Sequence, residues 1–349
     1  AYSIMGAGFH GLNGLSPEVT INMLQTYVTP AVMHGLETLR LSTSDYQTLA
    51  TFHQSILRAI QHLPKATAIP ALYLLTGSLP MEALHHKQVL TLFTNMARRR
   101  ESTKHEIRCW QLALKDMSSN SWTILVRELL HQYNLPSAFD ILQAPQSKEK
   151  WKKMLRQEII TYWLKRLRED ASTKKTLKYL NHDACNIGQV HPLWRCGDDP
   201  FETTMAVTQV RMTVQRYGLS SSHCAGKKKS STCPLCHQSD ETMAHFLLHC
   251  PALETARSEP LRQTRTILKC FLFDPRDDED EVQAILDPST VSWIPSEDQA
   301  KLERATRRLC HNLHRERSIY SSSVHSGSVM KKQVSLKSKH TQCGSPGPR

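Results

Sequence analysis

The sequence predicts a mostly α-helical chain with a small cysteine-rich module near its end and a disordered basic tail. Apolar residues recur at spacings of three and four in several long segments, which is the period of an amphipathic helix. A sustained alternation of apolar and polar residues, typical of a half-buried strand, is not found in the 349 residues. We therefore expect few strands.

Residues 1–63 form the first predicted helical unit. Its clearest helix begins near Ser44, a candidate N-cap, and stops at Pro64, because proline cannot continue a helix. The apolar residues of this helix lie three or four positions apart and share one face. They are Leu49, Phe52, Ile56, Ile60 and Leu63.

Residues 64–180 form a second helical region that includes a strongly basic amphipathic helix at 148–168. An earlier helix begins at Pro80, a residue that suits the first turn. Each helix has one apolar stripe, and cations fill the other faces of the basic helix. The stripes are Met81, Leu84, Val89, Phe93 and Met96, and then Trp151, Leu155, Ile159, Trp163 and Leu167.

The rest of the chain falls into three predicted segments. Residues 181–270 form the cysteine-rich module, which begins with a loop-rich stretch at 181–200. Residues 271–317 comprise a solvated acidic loop, DPRDDEDE at 274–281, and a last helix. Residues 318–349 have too few apolar residues to build a core, so we expect a disordered tail. The apolar face of the last helix is Leu302, Leu309 and Leu313.

Composition and charge favour a polyanionic partner. Hydrophobic residues make up 40% of the chain and the mean hydropathy is −0.43. No apolar run approaches the roughly 20 residues of a membrane span, so we expect no membrane association. The formal net charge is +12, with eleven Lys and Arg against four acids in residues 148–178, and nine against four in residues 211–270. Such patches fit nucleic acid first and an acidic membrane second, although an ordinary solvated surface is the alternative for each.

The ten cysteines indicate a reducing compartment, because the sequence has no secretory signal. In such a compartment clustered thiols bind metal more often than they form disulfides. The chain begins with Ala1 and not with Met, so we expect it to derive from a longer parent.

The cysteine-rich module has the spacing of a zinc site. Cys233 and Cys236 are separated by two residues, His245 follows after eight more, and Cys250 after a further four. Ser239 is the expected N-cap of the short helix that carries His245. Zinc takes four thiolate and imidazole ligands in a tetrahedron, and a site closed by four protein ligands is structural and not hydrolytic. The alternatives are buried cysteines without a metal, or a redox pair.

The fourth ligand has two candidates. On an unbroken α-helix Cys250 would point about 140° away from His245, whereas His249 would share its face. Pro251 pushes the preceding residue out of the helical region, so we expect the helix to end and Cys250 to swing back. We prefer Cys250 and keep His249 as the rival.

Two short motifs look catalytic but lack the context that their chemistry needs. GAGFHG at 6–11 matches a dinucleotide-binding fingerprint, but Pro17 follows too soon for the required helix, so we expect a loop before a helix capped at Ser16. The pair Asp198 and Asp199 resembles a polymerase metal turn without the flanking apolar strands. We therefore assign no catalytic residue and expect no enzyme activity in this chain.

The order of these motifs resembles the C-terminal third of the polyproteins of non-LTR (LINE-type) retrotransposons, downstream of the reverse transcriptase palm. The resemblance covers about residues 1–317, and the cysteine-rich module is its most specific part. It is carried by AYSIMGAGFHGLNGLSP, TPAVMHGLETL, LRAIQHLPKAT, ALYLLTGSLP, SW at 121–122, YNLPS at 133–137, HPLW at 191–194, CPLC with ETMAHFLLHCP, FLFDP and LERATRRLCHNLHRER.

The resemblance implies a function and a set of partners. Residues 1–63 would be the connection into the thumb, residues 64–180 the helical linker, and the module a CCHC zinc knuckle that engages template RNA or target DNA. Its ligands would be Cys233, Cys236, His245 and Cys250. The palm and endonuclease would lie upstream, so polymerisation is not assigned to this chain. We expect the protein in the cytoplasm and nucleus, with nucleic acid and the upstream palm as partners.

Nucleic acid would be held mainly by phosphate contacts on both sides of the knuckle. The candidate residues are Lys227, Lys228 and Lys229 before it and Arg257, Arg262 and Arg265 after it. One alternative is a helical protein-interaction adaptor in which zinc only stabilises the fold. Another is an element remnant without function.

Overall fold

The computed structural model describes residues 15–99, 119–197, 199–223 and 230–339, together with residues 103, 106, 107, 110 and 111, with side chains except at 222, 223 and 321–339. Over this part the fold is mostly α-helical, as predicted, and the only strand-like pairing is one antiparallel bridge, Thr232 with Asp240. None of the described helices is both long and apolar enough to cross a membrane. The GAGFHG motif at 6–11 and Asp198 lie outside the described residues.

The chain divides into two compact units, Ala1–Arg216 and Tyr217–Arg349. The predicted segment 181–270 is therefore split, because residues 181–216 pack with the helices that precede them. The helices of the first unit are α1 (Pro17–Met23), α2 (Thr29–Met33), α3 (Thr43–Ile60), α4 (Ile69–Thr76), α5 (Met81–Ala97), α6 (Trp122–Gln132), α7 (Ala138–Gln143), α8 (Lys148–Ser172) and α9 (Pro200–Thr213), with a π-helical turn at Leu24–Val28.

Helix α8 organises the first unit because its apolar stripe enters two hydrophobic clusters. Four of its residues pack with α5, α6 and α7, and Leu167 packs with α3, α4 and α9. The predicted stripe is confirmed, since Trp151, Leu155, Ile159, Trp163 and Leu167 are all buried. Both tryptophans therefore lie in the core, where they cannot stack on bases.

The caps of the first unit agree with the sequence at one helix and differ at another. Ser16 caps α1, as predicted. Helix α3 is capped by Ser42 and not by Ser44: the Ser42 hydroxyl accepts the N–H of Asp45, and the Asp45 carboxylate accepts the N–H of Ser42 at 2.9 Å. The prediction missed this reciprocal capping box, which depends on an acid three residues after the cap.

A glycine contact ties the end of α4 to a distant loop. Gly77 ends α4 in the left-handed conformation, with φ of 59°, and its carbonyl accepts the N–H of Gly188 at 2.7 Å. A Cβ at Gly77 would lie 2.1 Å from the carbonyl oxygen of Gln189. Only glycine allows this approach.

The helices of the second unit are α10 (Ser220–His223), α11 (Glu254–Cys270), α12 (Asp278–Leu286) and α13 (Ser296–Lys339). The predicted apolar face of α13 is confirmed, since Leu302, Leu309 and Leu313 are fully buried. The described part of α13 continues to Lys339, and residues 340–349 of the predicted disordered tail lie outside the described residues. The disorder expected from Ser318 stays a prediction.

The acidic segment 274–281 is a loop only up to Asp277, whereas we predicted a loop over its whole length. Asp277 caps α12, and Asp278, Glu279, Asp280 and Glu281 form its first turn. Acidic side chains in the first turn interact favourably with the positive end of the helix dipole, so a run of acids favours a helix start here.

Candidate metal centre

The first two candidate ligands lie on a closed turn. The N–H of Cys233 donates to the carbonyl of Ser239 at 2.7 Å, and the N–H of His237 donates to the carbonyl of Cys233 at 3.0 Å. His237 takes a left-handed conformation, with φ of 57°, which reverses the chain after Cys236. The bridge between Thr232 and Asp240 closes the base of the turn.

The other two candidate ligands are brought together by a π-helical turn at His245–His249. The N–H of Cys250 donates to the carbonyl of His245 at 2.7 Å, an i→i+5 bond. This wider turn returns Cys250 toward His245, which an α-helix would not do. Cys250 itself is extended, with φ of −61° and ψ of 115°, as expected before Pro251.

The sequence predicts Ser239 as the cap of the helical turn that carries His245. In the structure this turn is capped by Thr242. The Thr242 hydroxyl accepts the N–H of His245 at 3.1 Å, and its carbonyl accepts the N–H of Phe246 at 2.9 Å. The Ser239 carbonyl instead closes the cysteine turn. Ser239 therefore belongs to the hairpin-like turn of the two cysteines and does not cap the helical turn. Capping rules that consider only neighbouring residues do not include this alternative.

The four side chains converge as the spacing predicts. One donor atom from each of Cys233, Cys236, His245 and Cys250 lies within 4.8 Å of the others. The Sγ atoms of Cys233 and Cys250 are 3.8 Å apart, and Cys236 Sγ is 3.3 Å from His245 Nε2. Zn–S and Zn–N bonds of about 2.3 and 2.0 Å place tetrahedral ligand atoms roughly 3.5–3.8 Å apart, so the donor set fits such an ion.

His249, the rival ligand, is turned to another partner. Its Nε2 lies 2.6 Å from a carboxylate oxygen of Asp278, and its side chain is 52% exposed. Cys250, by contrast, is fully buried beside the other sulfur atoms. Cys250, and not His249, is therefore the fourth residue of the cluster of donor atoms.

Burial and neighbouring groups shift the pKa values of three residues of the cluster. Burial raises the pKa of Cys250 to about 12, and the neighbouring sulfur of Cys233 adds to the effect. Burial also raises the pKa of Cys236, but backbone donors at Gln238 and the neighbouring thiols outweigh it and leave that pKa below its usual value. Burial lowers the pKa of His245, which favours the neutral imidazole that a metal requires. A divalent ion would offset the charge of several buried thiolates.

A buried carboxylate connects the knuckle to the last helix. Glu241 is fully buried and accepts from the backbone N–H of Ser220 at 2.7 Å and from its hydroxyl at 2.8 Å. The guanidinium of Arg317, on α13, donates to both oxygens of Glu241, at 2.8 and 3.1 Å. The π turn also contacts α11, α12 and α13. The site is therefore a packing centre of the second unit.

Of the six predicted nucleic-acid residues the structure describes three, and these three arginines differ in exposure and pairing. Lys227, Lys228 and Lys229 lie outside the described residues. Arg257 is only 3% exposed and pairs with Glu254, so a strand at the surface cannot reach it. Arg265 pairs with Glu281 at 2.6 Å, and Arg262 donates to both oxygens of Glu259. Arg262 also lines an open groove.

That groove has cations which the sequence analysis did not single out. It lies between α11 and α13, has a volume of about 350 Å³, and is lined by Arg262, Lys301, Arg304 and Arg308. We call these four residues the basic groove. Arg304 and Arg308 are exposed and four positions apart, so they project on one side of α13. The helical spacing that revealed the leucine face of α13 also predicts this basic face.

Fold and site together define a mostly α-helical protein with a buried Cys3His cluster arranged as a metal site. In comparisons with known proteins, no family model, no curated protein and no solved structure matches the chain.

Proposed function

We propose that the second unit binds nucleic acid through the basic groove and that a structural zinc ion in the Cys3His cluster holds this unit together. The observation that carries the proposal is the position of four cations on two helices, one of which begins four residues after Cys250. An ion that fixes Cys250 thereby fixes the start of α11 and one wall of the groove.

Zinc is favoured by the donor chemistry. Three sulfurs and one imidazole nitrogen in a tetrahedral arrangement are typical of structural zinc, and they leave no coordination position for substrate. The ion would offset the charge of the thiolates and hold the cysteine turn against the π turn. Hydrolytic chemistry is not part of the proposal.

Charge and spacing in the groove support a phosphate backbone as ligand. Arg304 and Arg308 form no ion pair among the described residues, so both guanidinium groups are available. From Lys301 to Arg308 the helix rises about 10 Å, roughly the length of three nucleotides of a stacked strand. Such contacts position a strand without reading its sequence, so either RNA or DNA fits.

The resemblance to non-LTR retrotransposon polyproteins supplies the proposed context. Within it, the unit would hold template RNA or target DNA for an upstream reverse transcriptase palm, in the cytoplasm and nucleus. The ligand set implied by the resemblance is the set that converges in space. Polymerase and endonuclease chemistry would belong to the upstream domains.

A protein-interaction adaptor is the second candidate, and one observation favours it. Leu272 is 92% exposed and Trp293, stacked on Phe273, is 59% exposed, both in the second unit. Exposed apolar side chains close to each other are typical of protein-binding surfaces. Under this function the zinc would stabilise the fold, and nucleic-acid binding would be weak and insensitive to salt.

Zinc content and salt-dependent binding test the proposal together. Purified protein should contain one zinc per chain, and Cys233→Ser should abolish both zinc retention and tight binding to single-stranded RNA. Arg304→Gln and Arg308→Gln should retain zinc but bind RNA more weakly, with a salt slope lower by about 0.7 for each lost phosphate contact.

The matched control is Arg276→Gln, which removes an exposed cation from the same unit without touching the groove. This variant should bind RNA like the parent. Unchanged affinity and salt slope in both groove variants would contradict the groove, and binding that is insensitive to salt in the parent would favour the adaptor.

A further inference from the structure

The first unit contains a cavity of about 270 Å³ that the proposed function does not use. Its walls come from α3, α5 and α8, from the turn after α4 and from the loop that contains Gly188. The lining residues that matter here are His53, Ser78, Lys87 and Arg156.

The charged wall of this cavity consists of cations without counter-ions. Lys87 and Arg156 line the cavity, and Lys152 lies one helical turn before Arg156. Burial lowers the pKa of Lys87, and the positive charges of Arg156 and Lys152 lower it further. Among the described residues none of the three forms an ion pair, and no acid lines the cavity. Mutual repulsion of these cations is relieved when an anion binds.

The interior of the cavity offers hydrogen-bond donors. His53 is 3% exposed, and its Nδ1 has no partner among the described residues. Burial lowers the pKa of His53 to about 4, so the ring is neutral at pH 7 and has one N–H to donate. The Ser78 oxygen accepts from Gln25 Nε2 at 3.4 Å, which leaves its own O–H free to donate.

The shape of the cavity connects it to a larger surface. Arg156 and Ile160 also line an open groove along α8, to which Lys152, Lys153 and one acid, Glu149, contribute. A Cβ at Gly188 would lie 3.7 Å from Arg156 Nη2, so the loop passes close to the guanidinium. An anion in the cavity can therefore belong to a chain that continues along the groove.

We propose that this cavity binds a phosphate group of a single-stranded nucleic acid, with Lys87 and Arg156 against its charge and His53 and Ser78 donating hydrogen bonds. The site goes beyond the proposed function, because it lies in the other unit and shares no residue with the knuckle or the basic groove. A free nucleotide presents the same phosphate chemistry, and the experiment separates the two sources.

Fluorescence anisotropy of the full chain with a short single-stranded RNA tests the site. Lys87→Gln and Arg156→Gln should each weaken binding roughly tenfold or more and lower the salt slope by about 0.7. The control Lys165→Gln removes an exposed cation from the same helix, at 4.0 Å from Glu169, and should bind like the parent. Circular dichroism checks that each variant is folded. Ser78→Ala is an additional, milder substitution inside the cavity.

Competition with inorganic phosphate and with adenosine monophosphate distinguishes the sources. Both anions should compete for the cavity in the parent and in Arg304→Gln, and neither should compete in Arg156→Gln. If Lys87→Gln and Arg156→Gln bind RNA as the parent does, a nucleic-acid strand does not occupy the cavity. This conclusion holds whether or not the small anions bind. Zinc removal and groove variants should leave this competition unchanged, so its failure can be distinguished from failure of the proposed function.

Discussion

The two units of this chain are stabilised by different interactions. The first unit has two large hydrophobic clusters, with the fully buried ring of Trp194 in one and Phe93 in the other. The second also buries apolar side chains, among them Phe246, Leu268 and Leu309, and it contains in addition the Cys3His cluster and the pair Glu241–Arg317. Apolar packing needs no further component, whereas clustered thiols need an ion and a buried carboxylate needs its partner. The folding of the second unit should therefore depend on a bound metal ion and on the intact pair Glu241–Arg317.

Metal removal should produce the largest difference in stability between the two units. Structural zinc sites contribute an apparent free energy of about 10–16 kcal/mol, so chelation should unfold the second unit while the first keeps its helices. Hydrogen exchange should show lost protection in α11 and retained protection in α8. Cys270→Ser, at an exposed cysteine outside the cluster, is the control. Full protection of α11 after chelation would show that the cluster is not a metal site.

Removal of a large core side chain should strongly destabilise the first unit. Trp163→Ala removes a side chain that is 5% exposed and donates to the Tyr133 hydroxyl at 2.9 Å. The expected loss is about 3–5 kcal/mol of the free energy of unfolding, measured with urea. Trp110→Ala, at a side chain that is 72% exposed, should change it little. Equal effects of the two substitutions would contradict the described core.

Charge removal at Glu241 should test the ionic part of the second unit. Glu241→Gln keeps the shape of the side chain but leaves Arg317 without its counter-ion, and the expected loss is about 3 kcal/mol. Adding Arg317→Met should recover part of that loss, because the uncompensated charge is gone. Additive losses in the double variant would mean that the pair is not coupled.

Acid should weaken the first unit through histidines that are buried and neutral. Burial lowers the pKa of His53 to about 4 and that of His86 to about 3. The unfolded chain binds these protons below pH 6.5 and the folded chain does not, so stability is present above pH 6.5 and falls with pH below it. Each histidine should cost about 2 kcal/mol between pH 7 and pH 5. Urea unfolding at both pH values should show a smaller difference in His86→Gln, and the same difference would contradict this origin.

Patterns that repeat along one helix were predictable from the sequence, and contacts between distant residues were not. The stripe from Trp151 to Leu167 and the set of four metal-ligand candidates follow from spacing alone. The burial of Arg257 and the pairing of Arg265 with Glu281 depend on tertiary packing, and an arginine carries no sign of either in its own position. The helical spacing that predicts the leucine face of α13 also predicts its basic face.

The smallest expected effect tests a helix start that the sequence analysis placed two residues too late. Ser42 forms the capping box with Asp45, whereas Ser44, the predicted cap, lies inside the first turn of α3. Ser42→Ala should lower the free energy of unfolding of the first unit by about 1 kcal/mol, because the N–H of Asp45 loses its acceptor. Ser44→Ala should have little effect, since alanine is favourable within a helix. A larger loss for Ser44→Ala in thermal or urea unfolding would return the cap to the position that the sequence alone suggested.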